Sequence, residues 1–432
     1  MIRDVEVWLW GTRIGFLRET DASRAAVFEY DRDFIGSGIQ VAPFMMPLSG
    51  ALYSFPELPD NSFHGVPGMV ADSLPDRFGN AVIDRWLASL NRTPGSFSSL
   101  DRLCYTGKRG MGALEYQPAT GPEVSGDSID ITEMTRFAES ILSGREDLSV
   151  REDDLTMARL MEIGTSAGGA RAKAVIAWNE ATGEVRSGQV DAGEGFRYYL
   201  LKFGGVGSNG DHGAGDKKQY TQIEHAYYKM ALDLGVQMME SRLFEKDGIT
   251  HFLTERYDRR PEGKVHSQTL GALIHADYNS PGTCSYELYA DYAKKLGIGK
   301  SGIEQIFRRM VFAVAGANCD DHVKNFSFLM DKGGKWSLAP AYDITFAYVP
   351  GNRWLSDHQM TIAGKTNDIT VQDLITCGRT MGLGTAFCRS VVDKTIEITG
   401  KWMQYAEDDS IDEERASEIN AILVLLKEEM KG

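Results

Sequence analysis

The segment Cys-Asp-Asp-His-Val-Lys-Asn, residues 319–325, concentrates ionisable side chains in a way that could support phosphoryl transfer. Asp320 and Asn325 stand five positions apart, which is the spacing of a protein-kinase catalytic loop. In such a loop a carboxylate faces the attacking hydroxyl, and the amide turns back towards a magnesium ion. Lys324 would neutralise the phosphoryl group, and His322 would contact phosphate or form a local hydrogen bond. Spacing alone favours an ordinary exposed loop, because Asp and Asn are frequent in turns.

Asp343 lies downstream, in the stretch Trp-Ser-Leu-Ala-Pro-Ala-Tyr-Asp-Ile, where it follows an apolar, strand-like run. The metal-binding aspartate of protein kinases also follows a strand, and the interval after Asn325 leaves room for a short hairpin. Magnesium prefers one or two carboxylates together with phosphate oxygens, so an Asn325–Asp343 pair would suffice as protein ligands. Asp343 alone could equally be a helix N-cap, but the two segments together favour a magnesium site.

Two upstream segments could hold a nucleotide. Gly168 and Gly169 lead straight into a predicted strand, and closely approaching backbone amides there could cradle phosphates, although a hairpin turn fits equally well. Lys202 ends an apolar strand-like run, so its burial would require a phosphate or a carboxylate. Glu224 on the next predicted helix is the candidate carboxylate, although a surface position is the usual one for a helix glutamate.

Other catalytic and binding motifs are weak or missing from the sequence. Residues 205–210 match Gly-x-Gly-x-x-Gly, but a polar stretch follows instead of a helix, so a mobile lid or substrate loop is preferred over a dinucleotide site. There is no His-Glu-x-x-His and no Gly-x-Ser-x-Gly motif. The five cysteines are scattered and include no Cys-x-x-Cys pair, which favours a reducing cytoplasm over a disulfide scaffold or a zinc site.

The composition is that of a soluble globular protein with more than one subdomain. The chain has 432 residues, of which 42% are hydrophobic and 25% charged. Its 61 acidic and 46 basic residues give a net charge of −15, which argues against direct, non-specific binding of nucleic acid. The N-terminus lacks a signal-peptide core, and no window is apolar enough for a membrane helix, so we expect a cytoplasmic protein without membrane contact.

Hydrophobic patterning predicts an α+β protein whose elements would position these residues. Strands are predicted on both sides of Gly11 and again between residues 171 and 260, where β-branched and aromatic residues are enriched. One amphipathic helix, ending at Gly235, interrupts the second group of strands. From about residue 285 the pattern is mostly helical to the end of the chain.

Five segments, in this order along the chain, resemble the HipA family of serine/threonine-protein kinase toxins. They are Gly-Thr-Ser-Ala-Gly-Gly-Ala-Arg-Ala-Lys, Leu-Leu-Lys-Phe-Gly-Gly, Leu-Thr-Glu-Arg-Tyr-Asp-Arg-Arg, Asp-Asp-His-Val-Lys-Asn-Phe-Ser-Phe and Pro-Ala-Tyr-Asp-Ile. The stretch Asp-Ser-Leu-Pro-Asp-Arg-Phe-Gly-Asn at residues 72–80 is similar to the accessory domain of that family, so the resemblance covers essentially the whole chain.

The resemblance implies a role for each matching residue. Asp320 would be the catalytic base, with Asn325 and Asp343 as magnesium ligands, and Lys202 would contact phosphate with Glu224 as its helix partner. His322 and Lys324 would lie near the phosphates. The nucleotide loop would comprise Gly168, Gly169, Ala170, Arg171, Ala172 and Lys173, and the hinge against adenine would comprise Glu255, Arg256 and Tyr257. The autophosphorylated residue would be Ser166, although the adjacent Thr165 is a possible alternative register.

The resemblance also implies a fold, a partner and a substrate. The fold would be bilobal and kinase-like (HipA-like), with a β-rich N-terminal subdomain and an all-helical C-terminal lobe. The boundaries would place an accessory subdomain at 1–115, the kinase N-lobe at 116–260 and the C-lobe with the catalytic loop at 261–432. An ATP- and magnesium-dependent toxin would be restrained by a small helix-turn-helix, HipB-like antitoxin, which alone would contact DNA. Its substrate would be a translation component such as an aminoacyl-tRNA synthetase.

Two other functions remain open at the level of sequence. A small-molecule kinase would share the Asp320, Asn325 and Asp343 core. A non-catalytic kinase-like binding module would keep the fold alone, but the intact Lys202 and the three core residues speak against it.

Overall fold

The computed structural model describes residues 2–20, 23–121, 128–143, 171–189, 191–206 and 219–431 of the chain. An antiparallel sheet, here called the accessory sheet, occupies the N-terminal part in the order β4-β3-β2-β1-β5. Its strands are β1 (Asp4–Leu9), β2 (Thr12–Thr20), β3 (Ser23–Tyr30), β4 (Leu52–Tyr53) and β5 (Leu114–Gln117). β1 and β2 form the predicted hairpin around Gly11, whose φ of 80° is readily adopted only by glycine.

A second antiparallel sheet, here called the N-lobe sheet, has the order β7-β6-β8-β10-β9. Its strands are β6 (Lys173–Trp178), β7 (Val185–Ser187), β8 (Arg197–Lys202), β9 (Ser241–Lys246) and β10 (Ile249–Glu255). In the register between β6 and β8, Lys173 lies directly opposite Lys202. The sheet register therefore brings the end of the predicted nucleotide loop next to the predicted phosphate-contacting lysine.

Helices dominate the C-terminal part of the described chain. The helices are α1 (Arg32–Ile35), α2 (Asp60–Phe63), α3 (Gly68–Ala71), α4 (Arg77–Ser89), α5 (Ser99–Thr106), α6 (Ile131–Ser143), α7 (Tyr220–Leu234), α8 (Leu270–Ile274), α9 (Tyr286–Lys295), α10 (Lys300–Ala315), α11 (Val371–Thr380), α12 (Thr385–Thr399), α13 (Trp402–Asp408) and α14 (Glu413–Glu429). Helix α7 ends at Gly235, which has a φ of 84°, as the sequence predicts.

The C-terminal lobe also contains short strands. A three-stranded sheet consists of β13 (His266–Thr269), β14 (Ser327–Met330) and β15 (Trp336–Leu338), and a small ribbon consists of β11 (Arg259–Arg260) and β12 (Gly263–Lys264). The predicted bilobal α+β fold is confirmed. The C-terminal lobe is not all-helical, however, because it contains these strands. These strands are too short to show a clear alternation in sequence, and β13 finds its partner β14 only through the tertiary fold.

The buried hydrophobic residues form two clusters, and each cluster contains residues from both sides of position 115. One cluster joins the accessory sheet to α7 and to the helices of the C-terminal lobe, and it includes Phe28, Tyr227 and Trp402. A second cluster joins α4 and α6 to the N-lobe sheet. Helix α4 precedes residue 115 in sequence but packs in the core of the N-lobe. The N-terminal region is therefore structurally part of both lobes.

No helix in the part of the chain that the structure describes combines the length and the apolar character needed to cross a bilayer.

Candidate active site

Helix α10 leads directly into residues 319–325, the segment that contains Asp320 and Asn325, at the interior edge of the C-terminal lobe. The helix is largely buried and stops at Gly316, after which Ala317 adopts a left-handed φ of 53°. Within the loop the Asn325 side-chain amide donates to the Asp320 carbonyl oxygen at 2.7 Å. The backbone N–H of Asn325 donates to the carbonyl of His322 at 2.8 Å. The cluster is thus a closed, half-buried turn and not an exposed surface loop.

The buried side chain of Asp321 connects this turn to other segments of the lobe. Its carboxylate accepts hydrogen bonds from the Tyr286 hydroxyl at 2.8 Å and from the Gln359 backbone N–H at 2.7 Å, and it lies 3.0 Å from His358 Nδ1. Its side chain is only 2% exposed. These contacts connect residues 319–325 both to α9 and to the segment that follows Asp343. Asp321 therefore has a structural task, while its neighbour Asp320 remains half-buried at the surface of the cleft.

A cavity of about 20 Å³ is lined by Asp320, Asn325 and Asp343, the three residues predicted to perform base and metal chemistry. Asp343 follows the β14–β15 hairpin and adopts a left-handed φ of 53°. Such a conformation is costly for a residue other than glycine and is frequent at functional sites. The fold thus brings Asp343, from a separate segment, beside the neighbouring predicted base and metal ligand, Asp320 and Asn325.

The donor chemistry of this cavity fits a magnesium ion. With the Asn325 amide nitrogen occupied by the Asp320 carbonyl, the amide oxygen is the atom available to a cation. The Asp343 side chain is 30% exposed and supplies a carboxylate. Among the described residues, no group of three or more His, Cys, Asp or Glu side chains could form a full protein cage. An amide and a carboxylate beside phosphate oxygens are what magnesium prefers.

Lys202 lies at the centre of the charged part of the site. Its ammonium donates to Glu224 Oε1 at 2.6 Å and also forms an ion pair with the Asp343 carboxylate. The Lys202 and Glu224 side chains are only 7% and 6% exposed. Burial would lower the pKa of Lys202, but the charges of Asp343 and Glu224 outweigh it and raise that pKa. Lys202 therefore stays protonated and links β8, α7 and the segment that contains Asp343.

The pKa values of the two carboxylates around Lys202 are shifted in opposite directions. Burial raises the pKa of Glu224 in spite of the opposing charge of Lys202. At Asp343 burial acts in the same direction, but Lys202 and then Lys173 outweigh it and lower the pKa. Asp343 is consequently held as a carboxylate, which is the form that binds a cation.

Lys324 and His322 both face Tyr278, which the sequence did not single out. The Lys324 ammonium lies 4.5 Å from the centre of the Tyr278 ring, and the His322 ring centre lies 5.8 Å from it. His322 Nε2 is 3.8 Å from Asp320 Oδ1. Both predicted phosphate contacts are thus on the same side of the cleft as the predicted base.

The predicted hinge contributes one side chain to the neighbourhood of the site. Tyr257 packs against Tyr342, which directly precedes Asp343, with 5.8 Å between ring centres. The Glu255 carboxylate pairs with Arg197 at 2.7 Å. The side chain of Arg256 is buried and donates to Asp258 at 2.8 and 2.7 Å. The side chains of Glu255 and Arg256 are therefore engaged elsewhere, whereas the Tyr257 ring lies beside the segment that contains Asp343.

The predicted nucleotide loop is described in part. Gly168, Gly169 and Ala170 lie outside the described residues, as do Ser166 and Thr165. Of the remaining loop residues, Ala172 is buried in the N-lobe core, and the guanidinium of Arg171 lies 4.3 Å from the centre of the Tyr220 ring at the start of α7. Lys173 begins β6, and its ammonium lies 3.4 Å from Asp76 Oδ2.

Sequence reasoning missed several residues that complete the site. They are Asp76, Tyr278, Tyr286, His358 and Gln359. Asp76 is far from Lys173 in the sequence, and the other four residues contact residues 319–325 from distant segments, so no local spacing could have found them.

Two protein-family models match this chain. Residues 165–403, more than half of the chain, match the model of the HipA-like C-terminal domain, and residues 5–117 match the HipA N-terminal domain. Among solved structures, HipA of Shewanella oneidensis, determined in complex with HipB and operator DNA, superposes with a TM-score of 0.68 at 16% identity. The match covers 99% of this chain and 96% of that one, so it shows a shared fold.

Two curated proteins are similar over shorter stretches. "Putative kinase Y4dM" of Sinorhizobium fredii is 27% identical over 157 residues, which are 31% of this chain and 37% of that protein. A "Putative kinase" of Haemophilus influenzae is 31% identical over 134 residues, 28% of this chain and 39% of the relative. The chain spans less than half the length of these two curated relatives.

Proposed function

The chain belongs to the HipA family, and we propose that it is a kinase that transfers the γ-phosphoryl group of ATP to a serine or threonine hydroxyl of a protein. The observation that carries the proposal is the arrangement of Asp320, Asn325 and Asp343 around one cavity, with the buried Lys202–Glu224 pair beside it. These are the parts that kinase chemistry requires: a base, metal ligands and a phosphate-contacting lysine.

In this proposal the residues act mainly by positioning and by charge. Asp320 accepts the proton of the attacking hydroxyl, and Lys324 faces the developing charge on the phosphoryl oxygens. Asn325 and Asp343 would hold a magnesium ion, which neutralises phosphate charge when bound. Lys202 is kept protonated by its two carboxylates and directs its ammonium at the phosphates. The aromatic ring of Tyr257 supports the adenine side of the cleft.

We further propose that this kinase acts in the cytoplasm as the toxin of a toxin–antitoxin pair. A HipB-like helix-turn-helix protein would restrain it and would provide any contact with DNA, since the net charge of −15 disfavours direct DNA binding by this chain. The substrate would be a translation component such as an aminoacyl-tRNA synthetase. Autophosphorylation at Ser166, or at Thr165, would add a charge of about −2 to the nucleotide loop and switch the kinase off.

Phosphate transfer from radiolabelled ATP tests the proposal. Asp320→Ala should lower autophosphorylation and substrate phosphorylation by at least about 100-fold, because a positioned base typically contributes a factor of that size or more. Asp331→Ala provides a matched control, since Asp331 lies exposed in the turn between β14 and β15. Labelling by Asp320→Ala at the parental rate would exclude this mechanism. Label found only in a metabolite, with none in protein, would identify a small-molecule kinase instead.

Growth assays test the toxin role separately. Expression of the parent chain should arrest growth, Asp320→Ala should not, and Ser166→Ala should remain toxic because catalysis does not require that serine. Arrest by Asp320→Ala equal to that of the parent would contradict a catalysis-dependent toxin.

A further inference from the structure

Asp76 belongs to the N-terminal region, yet its side chain reaches the N-lobe sheet. Its Oδ2 lies 3.4 Å from the ammonium of Lys173, and both side chains are only 5% exposed. A buried charge is expensive unless a charge of opposite sign accompanies it. The pair therefore reflects a specific placement of an acid from one region beside a lysine of another.

The position of Asp76 is determined by the helix that it caps. Its Oδ1 accepts a hydrogen bond from the backbone N–H of Gly79 at 2.6 Å, which begins α4. Apolar residues of α4, among them Phe78 and Val82, pack in the same core as Ala172 and Ala174 on either side of Lys173. Within the described residues Oδ2 is buried and accepts no hydrogen bond, so its strongest contact there is the ion pair with Lys173.

Lys173 is close to the charged centre of the candidate site. It stands directly opposite Lys202 in the register of β6 and β8, and both lysine charges act on Asp343. Lys202 has Glu224 and Asp343 as counter-charges, and Asp76 supplies one to Lys173. Two adjacent buried ammonium groups at this edge of the N-lobe sheet present positive charge to which phosphate oxygens can bind.

We propose that Asp76 is a positioning residue for nucleotide binding, whose buried carboxylate holds the ammonium group of Lys173 in place for the phosphates of ATP. The N-terminal region thereby supplies part of the phosphate site of the kinase. This inference rests on the proposed function, because it assumes that the site holds ATP. Without Asp76, the buried ammonium group of Lys173 would lose its counter-charge and the contact that fixes its orientation.

Asp76→Asn is the informative substitution, because asparagine caps a helix about as well as aspartate and keeps the bond to Gly79. Titration calorimetry with magnesium-ATP should show binding about tenfold weaker than for the parent chain, whereas adenosine, which lacks phosphates, should bind equally to both. Asp84→Asn is the matched control. Asp84 lies on the same helix and pairs with Arg102 in a more exposed position, so ATP binding should not change.

A double-mutant cycle with Lys173→Met separates positioning from general stability. If Asp76 acts through Lys173, Asp76→Asn should weaken ATP binding no further in a Lys173→Met background. Equal or tighter ATP binding by Asp76→Asn, equal loss of ATP and adenosine binding, or additive losses in the cycle would each overturn the inference. Failure of the parent chain to bind ATP would instead overturn the proposed function together with this inference.

Discussion

The predicted catalytic loop, residues 319–325, and the predicted phosphate-binding region, which contains Lys202 and Lys173, lie side by side, but different interactions hold them in place. Below the catalytic loop, the Asp321 carboxylate is surrounded by Tyr286, Gln359 and His358. Around the phosphate-binding region, the buried ammonium groups of Lys202 and Lys173 are balanced by carboxylates. The first region relies on a compact hydrogen-bonded network and the second on buried ion pairs.

This difference corresponds to the work that each region would do. A carboxylate saturated by fixed donors cannot easily exchange partners, so Asp321 gives Asp320 and Asn325 a rigid support. An ion pair can exchange one anion for another, so the two lysines can share their charge between carboxylates and the oxygens of an arriving phosphate. We therefore expect substitutions near the loop to affect turnover and substitutions near the lysines to affect nucleotide binding.

Lys202→Met should produce the largest effect, since it leaves the Glu224 and Asp343 carboxylates without their shared cation. The free energy of unfolding should fall by about 3 kcal/mol, the usual loss when one partner of a buried pair is removed. ATP binding should be lost with it. Urea denaturation and calorimetry measure the two effects. Lys300→Met serves as control, because Lys300 is 77% exposed and its ion pair contributes little. Parental stability of Lys202→Met would show that the ion pairs are not structurally required.

Asp321→Asn should have the next largest effect and a different kinetic signature. The amide keeps the shape of the side chain but replaces one acceptor with a donor, so at least one donor among its three neighbours loses its partner. We expect a loss of about 2 kcal/mol in the free energy of unfolding and a kcat about tenfold lower. The KM for ATP should change little, because the lysines are untouched. A raised KM with an unchanged kcat would contradict the proposed division between the two regions.

Tyr286→Phe should act in the same direction but more weakly. It removes one hydrogen-bond donor to Asp321 and leaves Gln359 and His358 in place. The free energy of unfolding should fall by about 1 kcal/mol, with a smaller decrease in kcat than for Asp321→Asn. Combining the two substitutions should cost less than the sum of the single losses, because they break a shared contact. Full additivity would show that Tyr286 does not support the loop through Asp321.

The smallest expected effect concerns the pH dependence of ATP binding. Burial raises the pKa of Asp76 to about 6, against the opposing charges of Lys173 and Lys324 that face it. As the pH falls through 6, Asp76 takes up a proton and Lys173 loses its counter-charge. Between pH 7 and 5.5, the KM for ATP should therefore increase in the parent chain by a factor about three times larger than in Asp76→Asn. The comparison cancels the titration of ATP itself. Identical pH profiles would show that this carboxyl does not influence the phosphate site.

The raised pKa of Asp76 also affects the stability of the fold. Acidification should weaken ATP binding, but it should remove a penalty on folding. Because the folded protein binds the Asp76 proton more tightly than the unfolded chain does, burial of this carboxyl is unfavourable above pH 6. That penalty is relieved as the pH falls from about 6 towards the ordinary value of 3.8. Thermal unfolding of the parent and of Asp76→Asn across this range should therefore converge on acidification.

Much of the local structure and part of the site were predictable from the sequence. The hairpin around Gly11 and the helix stop at Gly235 follow from glycines, which favour turns and end helices. The burial of Lys202 against Glu224 could also be predicted, because a lysine after an apolar strand needs a carboxylate within reach.

The contacts that distinguish the two regions of the site were decided only by the tertiary structure. Asp76 meets Lys173 because α4 packs on the N-lobe sheet, although the helix precedes that sheet by a long stretch of chain. Asp321 finds His358 and Tyr286 because separate segments converge beneath the catalytic loop. Spacing and periodicity report interactions within a few turns of the chain, whereas strand register and core packing determine which distant charges share one buried volume.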